Sequence, residues 1–233
     1  MEPAAGQSPP RPERRTGVRP RDAAGVVVLR DGRHGAEVLL GRRSRQARFM
    51  PSVYVFPGGR LDPLDARASG FAEPLARPSG AVDGATRRRF AALARCALRE
   101  VWEETGLLLG LAAGPAGGPV SDPVAACWRP FVEAGLTPAF GRLGLAARAI
   151  TPAVSPIRFH TRFFLLVGLE PTPSGRGDGE LDDVGFVPTA EVLGLPMSSV
   201  TALVLAECMA RRRDPERPSR LFAWRDGEIP IYR

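Results

Sequence analysis

The chain has 233 residues, 44% of them hydrophobic and 24% charged, which excludes a disordered or fibrous protein and fits one globular domain with elaborations. Cys96, Cys127 and Cys208 are scattered with no C-x-x-C spacing, so neither a disulfide framework nor a zinc site is indicated, and a reducing, cytoplasmic setting is expected. The net charge of +7 rests on 32 basic residues that are all arginine, a coding bias that argues only weakly for a nucleic-acid partner, and no apolar run reaches the roughly 18 residues a membrane-spanning helix needs.

Residues 1–22 are rich in Pro and Arg and lack periodicity, so a disordered tail is expected there, followed by one domain over 23–212 and an extension over 213–233. Residues 24–30 and 36–41 read as strands joined by a hairpin turn at Asp31-Gly32, in which His34 is a turn residue. A third strand, 53–56, runs into Pro57-Gly58-Gly59. Residues 60–84 are punctuated by Pro and Gly and read as a loop with at most a short helical turn.

From Ala85 to Thr105, strong helix formers carry Phe90, Leu93, Ala94, Ala97, Leu98 and Val101 at helical spacing, and Gly106 supplies the stop. Residues 111–120 read as a loop and 124–134 as a helix. Strands are expected at 159–169 and 181–187 and an amphipathic helix at 198–213, with mostly irregular chain from 214 onward. Strands interleaved with helices point to an α/β or α+β sandwich.

The informative segment is Arg99-Glu100-Val101-Trp102-Glu103-Glu104-Thr105-Gly106-Leu107. On a helix, Glu100, Glu103 and Glu104 share one face, where they repel one another and oppose the negative end of the helix dipole. Arg99 offsets part of this through an i, i+4 pairing with Glu103. A hard divalent cation held by oxygen ligands would reverse the sign of the whole cluster. The rival reading is a solvated acidic helix face.

These nine residues reproduce R-E-U-x-E-E-x-G-U, the second half of the Nudix box, so the chain resembles the Nudix hydrolases over about residues 24–210. The resemblance implies a mixed β-sheet between helices and a Mg²⁺- or Mn²⁺-dependent hydrolase of a nucleoside diphosphate linked to another moiety. It implies metal ligation by Glu100, Glu103, Glu104 and the backbone oxygen of Gly59. It also offers Glu100, Glu104 and Glu180 as candidate catalytic carboxylates, with Arg99 as structural support. Without gaps, the first Gly and Glu of the box, G-x5-E-x7-R-E, would fall on Ala85 and Ala91, and neither fits. An insertion within 60–84 repairs the alignment and makes Gly59 the box glycine, leaving Asp62 and Asp65 as open alternatives for the box Glu.

Upstream, Leu39, Leu40, Arg43, Ser44, Arg48, Phe56, Pro57, Gly58 and Gly59 match in register the L-L-T-x-R-[SA]-x3-R-x3-G-x3-F-P-G-G pattern of coenzyme A diphosphatases, with Gly41 in place of the Thr and Ser52 in place of the Gly. Arginine forks suit a ligand carrying a pyrophosphate and a further phosphate. Arg43, Arg48, Gly58 and Arg162 are accordingly the expected substrate contacts. Arg162 lies in Phe159-His160-Thr161-Arg162-Phe163-Phe164, similar to a strand of Nudix proteins with a long insertion before the helix, where His160 replaces a more usual acid. The expected partner is a small nucleotide pyrophosphate, coenzyme A first, with ADP-ribose or dinucleotides as alternatives. A silent ligand- or RNA-binding module is the rival from another class, and a homodimer is compatible with the sequence.

Overall fold

The computed structural model describes residues 18–47, 50–67, 84–114, 127–224 and 231–232. Strand β1 (Arg21–Gly32) is the spine of the molecule and begins three residues earlier than the sequence suggests. Its alternating side chains enter two cores. Ala24, Val26 and Val28 pack on one face with Leu93, Ala97 and Val101, whereas Val27 and Leu29 pack on the other with Val204, Leu205 and Cys208. This two-sided burial explains why the strand reads as a continuous apolar run rather than an alternation.

β1 turns into β2 (Gly35–Arg43), with which it pairs antiparallel, and the short strands β3 (Tyr54–Val55) and β4 (Gly58–Arg60) add to β2 and β1 respectively. Helix α1 (Pro63–Arg67) is the short helical turn allowed for in the 60–84 segment. Helix α2 (Gly84–Thr105) follows the expected bounds closely. Its buried stripe, Phe90, Leu93, Ala94, Ala97, Leu98 and Val101, packs on the sheet, and truncating Leu93 to Ala would cost about 2–5 kcal/mol.

Beyond α2, β5 (Leu107–Leu108) and β6 (Gly110–Ala112) pair outside the main sheet, with β10 (Thr172–Pro173) and β7 (Leu136–Pro138) respectively. Of the helix expected over 124–134, residues 124–126 fall outside the described residues, and the described part is a five-residue α3 (Arg129–Glu133). Gly135, at φ +66°, ends it and turns the chain into β7.

β8 (Gly144–Ile150) was not legible. Its Ala-rich sequence lacks strand propensity, and the segment is extended because it lies antiparallel along β9 (Phe159–Val167). β9 pairs parallel with β1. β11 (Leu181–Pro188) adds antiparallel to β2 through a bulge between Asp182 and Gly185. Helix α4 (Ser199–Arg213) is capped by the Ser198 side chain, which accepts the Thr201 N–H, and covers the second face.

The irregular chain expected after residue 213 is corrected in part. β12 (Arg220–Ala223) pairs parallel with β8 and buries Phe222, and β13 (Ile231–Tyr232) closes that edge. Among the described residues the result is a nine-stranded mixed sheet ordered β11-β2-β1-β9-β8-β12-β13, with β3 beside β2 and β4 beside β1. No helix among them is long and apolar enough to cross a membrane.

Candidate active site

Three segments meet at the C-terminal end of α2: the Phe56–Arg60 turn, α1, and the loop leading into β11. Glu104 is only 3% exposed, and its Oε2 accepts the Gly58 N–H at 2.7 Å. Burial pushes its carboxyl up to about 9; the Gly58 N–H pulls back, while Glu100 and Glu180 push further. Glu100 is raised to about 7 by burial, against the opposing pull of Arg99. Its carboxyl lies so close to Gly59 that a Cβ there would stand 2.4 Å from it and would push the Glu100 carboxyl out of its present place.

Arg99 organises the remaining charge. Its Nε and Nη2 donate to the two carboxylate oxygens of Asp65 at 2.9 and 3.0 Å, and Nη1 lies 2.9 Å from Glu100 Oε1 and 2.6 Å from Glu103 Oε2. Burial lowers the affinity of this guanidinium for its proton, but the Asp65 hydrogen bonds and Glu100 outweigh it and the net shift is upward. The i, i+4 pair between Arg99 and Glu103 is as expected.

Arg99 draws Glu103 toward itself, and among the described residues no group of three or more His, Cys, Asp or Glu is arranged to hold a metal ion. The donor chemistry nonetheless fits a divalent cation. Glu100 and Glu104 are hard oxygen donors, buried so that their ionised forms are disfavoured, a condition an adjacent cation reverses. The Gly59 carbonyl oxygen, the other expected ligand, receives the Cys96 thiol at 3.7 Å.

Asp62 and Asp65 stand in different surroundings. Asp62 caps α1, its Oδ1 accepting the Leu64 N–H, whereas Asp65 is 2% exposed and grips Arg99. Asp65 stands six positions after Gly59, the interval of G-x5-E, so thirty-three residues separate it from Arg99 where the motif has seven. That interval was the available signal. The extra length therefore falls after Asp65, and Arg60 to Arg67 belong to the site's scaffold.

Across the site, Arg43 at the end of β2 donates from Nη2 to Glu180 Oε1 at 2.8 Å, while its Nε is buried without a partner among the described residues. Both charges act on Glu104, Glu180 raising and Arg43 lowering its proton affinity, which places the pair beside the buried carboxylate. Ser52, where the coenzyme A pattern has Gly, sits at φ +60° and donates its N–H to the Arg43 carbonyl. The left-handed conformation is the physical reason for glycine in that pattern.

Arg48 lies outside the described residues. Arg162 is not brought to the carboxylates by any contact among them. Its guanidinium pairs with Asp22 and the His160 carbonyl, and Arg89 of α2 also pairs with Asp22, so the cluster ties α2 to β1 and β9. His160, in that cluster, is lowered to about 4 by burial and by Arg162.

The NUDIX domain model matches residues 19–208 of this chain. The chain belongs to the NUDIX family. A NUDIX hydrolase from Alicyclobacillus acidocaldarius is 32% identical, with 86% of this chain and 97% of that one covered and a TM-score of 0.66. The NUDIX domain of Shewanella oneidensis NrtR, in a cocrystal structure with ADP ribose, is 13% identical over 86% of this chain and 92% of that one, with a TM-score of 0.48. A MutT NUDIX hydrolase from Burkholderia pseudomallei is 17% identical over 82% of this chain and 98% of that one, at 0.43. With the box helix and its glutamates intact, the chain is a NUDIX hydrolase, an enzyme of pyrophosphate bonds.

Proposed function

We propose that this NUDIX hydrolase cleaves the pyrophosphate bond of coenzyme A or an acyl-coenzyme A, giving 3′-phosphoadenosine 5′-phosphate and 4′-phosphopantetheine. The observation that carries the hydrolytic reading is the pair of buried carboxylates, Glu100 and Glu104, pressed against Gly59 and Gly58 with their protonated forms favoured. A bound Mg²⁺ or Mn²⁺ would supply charge neutralisation on the pyrophosphate and an activated water. Glu100 and Glu104 would hold it, with Glu103 and Glu180 joining once released from Arg99 and Arg43.

The chain's own residues do the rest. The Gly58 N–H fixes the Glu104 carboxylate through Oε2. Asp65 and Arg99 hold the last turn of α2 in place, so the glutamates are positioned before substrate arrives. Arg43 supports the coenzyme A reading, because it stands beside Glu180 and Glu104 at the point where the in-register coenzyme A pattern places its first arginine.

The test is a metal-dependent screen of coenzyme A, acetyl-coenzyme A, dephospho-coenzyme A, ADP-ribose and diadenosine substrates, with products identified by mass. Coenzyme A as the best substrate, releasing 3′-phosphoadenosine 5′-phosphate, is expected. Turnover of ADP-ribose without coenzyme A cleavage removes the substrate assignment, and no turnover of any removes the catalytic one.

A further inference from the structure

We infer that Asp178 is a positioning residue that sets where Glu180 stands relative to the catalytic end of α2. It is a single-residue bridge. Its backbone N–H donates to the carbonyl oxygen of Glu103 at 2.7 Å, satisfying one of the last carbonyls of the helix. Its side-chain Oδ1 accepts the backbone N–H of Glu180 at 2.9 Å. One end of the residue is therefore fixed to the helix that carries Glu100, Glu103 and Glu104, and the other to the backbone of the fourth carboxylate.

The approach of this loop to the helix is close. A Cβ at Gly177 would lie 2.0 Å from the Glu104 carbonyl oxygen, and the Ser174 N–H donates to the Gly106 carbonyl at 2.8 Å. On its far side the Glu180 carbonyl accepts the Ser44 N–H at 3.1 Å, and its carboxylate reaches Arg43. Glu180 is thus suspended between β2 and α2, and the Asp178 side chain is its tether on the α2 side. Because the helix cap comes from the Asp178 backbone, removing the side chain releases the tether and leaves the cap.

This inference deepens the reading of Glu180 as a carboxylate serving the metal and rests on it. The experiment compares wild type, Asp178→Ala, Asp178→Asn, Glu180→Gln and the double variant Asp178→Ala/Glu180→Gln. For each, kcat is measured on the best substrate of the screen and Mn²⁺ affinity by water-proton relaxation without substrate.

One exposed hydrogen bond lost predicts a two- to tenfold weakening of Mn²⁺ binding with a similar fall in kcat for Asp178→Ala. Asp178→Asn, which keeps an oxygen acceptor, restores both, and the double variant is no worse than Glu180→Gln alone. Gly177→Ala, which forces the loop off the helix without touching either carboxylate, should reproduce the loss at least as strongly. Full additivity of Asp178→Ala with Glu180→Gln, or unaltered Mn²⁺ affinity in Asp178→Ala, overturns the inference. If Glu180→Gln itself binds Mn²⁺ and turns over like wild type, Glu180 has no part in the site and the inference falls with it, while the hydrolytic reading stands on the wild-type turnover.

Discussion

Asp65 and Arg99 meet through two near-parallel hydrogen bonds of 2.9 and 3.0 Å, although thirty-three residues lie between them in the chain. The pair is the clasp that rejoins the two halves of the NUDIX box on either side of the inserted segment. Both partners are largely buried, so breaking it removes two charge-assisted hydrogen bonds from Arg99, which keeps Glu100 and Glu103.

Asp65→Ala should therefore destabilise the protein by about 1.5–3 kcal/mol and lower kcat through misplacement of the α2 terminus. Asp65→Glu, which restores the residue type of the motif, should recover most of the activity. Urea unfolding and steady-state kinetics check both. An Asp65→Ala protein with wild-type stability and turnover would show that the clasp has no role.

The inserted segment itself is expected to be dispensable for folding. Replacing residues 70–82 with a short Gly/Ser linker should leave the thermal midpoint within a few degrees of wild type, because Leu61, Asp65 and α2, the flanking parts built into the scaffold, are retained. Loss of cooperative unfolding would show that the segment contributes to the core.

How much of this was visible in the sequence follows from what each signal measures. Helix α2 and its glutamates were legible because apolar spacing and the acidic motif are local properties of one segment. β8 and β12 were not, since Ala147, Arg148 and Ala149 have no intrinsic preference for a strand and are extended only by pairing with β9 and β12. The box helix and the Arg99–Glu103 pairing on it were both legible, being local to one segment, but the Asp65 anchor of Arg99 was not. Helical spacing puts Glu103 beside Glu104, and the competing pull of Arg99, itself anchored by an Asp far away in sequence, decides where its carboxylate goes.

Ser52 offers a gain in stability. At φ +60° its side chain costs about 1 kcal/mol relative to glycine, while glycine loses about 0.4–1 kcal/mol through the greater freedom of its unfolded chain. Ser52→Gly should thus be neutral to about 0.6 kcal/mol stabilising, and Ser52→Val clearly destabilising. A Ser52→Gly variant that melts well below wild type would mean that the hydroxyl contributes more than the backbone conformation costs.

The raised carboxylates make stability depend on pH in a definite sense. Glu104, near 9 when folded and near 4.5 in the unfolded chain, keeps its proton on folding between those values, so the unfolded state binds fewer protons and stability falls as pH rises through that window. Glu100 adds the same sign up to about 7. In EDTA the thermal midpoint should decline from pH 5 to pH 9, and Glu104→Gln should flatten the decline while abolishing hydrolysis, since it removes the titrating group and a metal-binding charge together. Mn²⁺ favours the ionised carboxylates, so its stabilising effect should grow toward pH 9. A midpoint equally pH-dependent in Glu104→Gln, or a variant with wild-type turnover at saturating metal, would place the proton and the metal elsewhere.

Arg43 offers a test between substrate classes, because its pairing with Glu180 and a contact to substrate would be separable jobs. It pairs with Glu180 at 2.8 Å, and under the coenzyme A reading its guanidinium would also meet a substrate phosphate. Losing the first job should harm every pyrophosphate substrate alike, whereas losing a contact to the 3′-phosphate should harm only substrates that carry one. A charge-assisted contact is worth about 1.5–3 kcal/mol, so Arg43→Ala should lower kcat/KM for coenzyme A by roughly ten- to a hundredfold more than for dephospho-coenzyme A or ADP-ribose. Arg43→Lys keeps the charge but not the fork, and should recover part of the common loss and little of the selective one. Equal losses on all three substrates would assign Arg43 to the shared pyrophosphate or to Glu180 alone, and the 3′-phosphate would then have to be read by other residues.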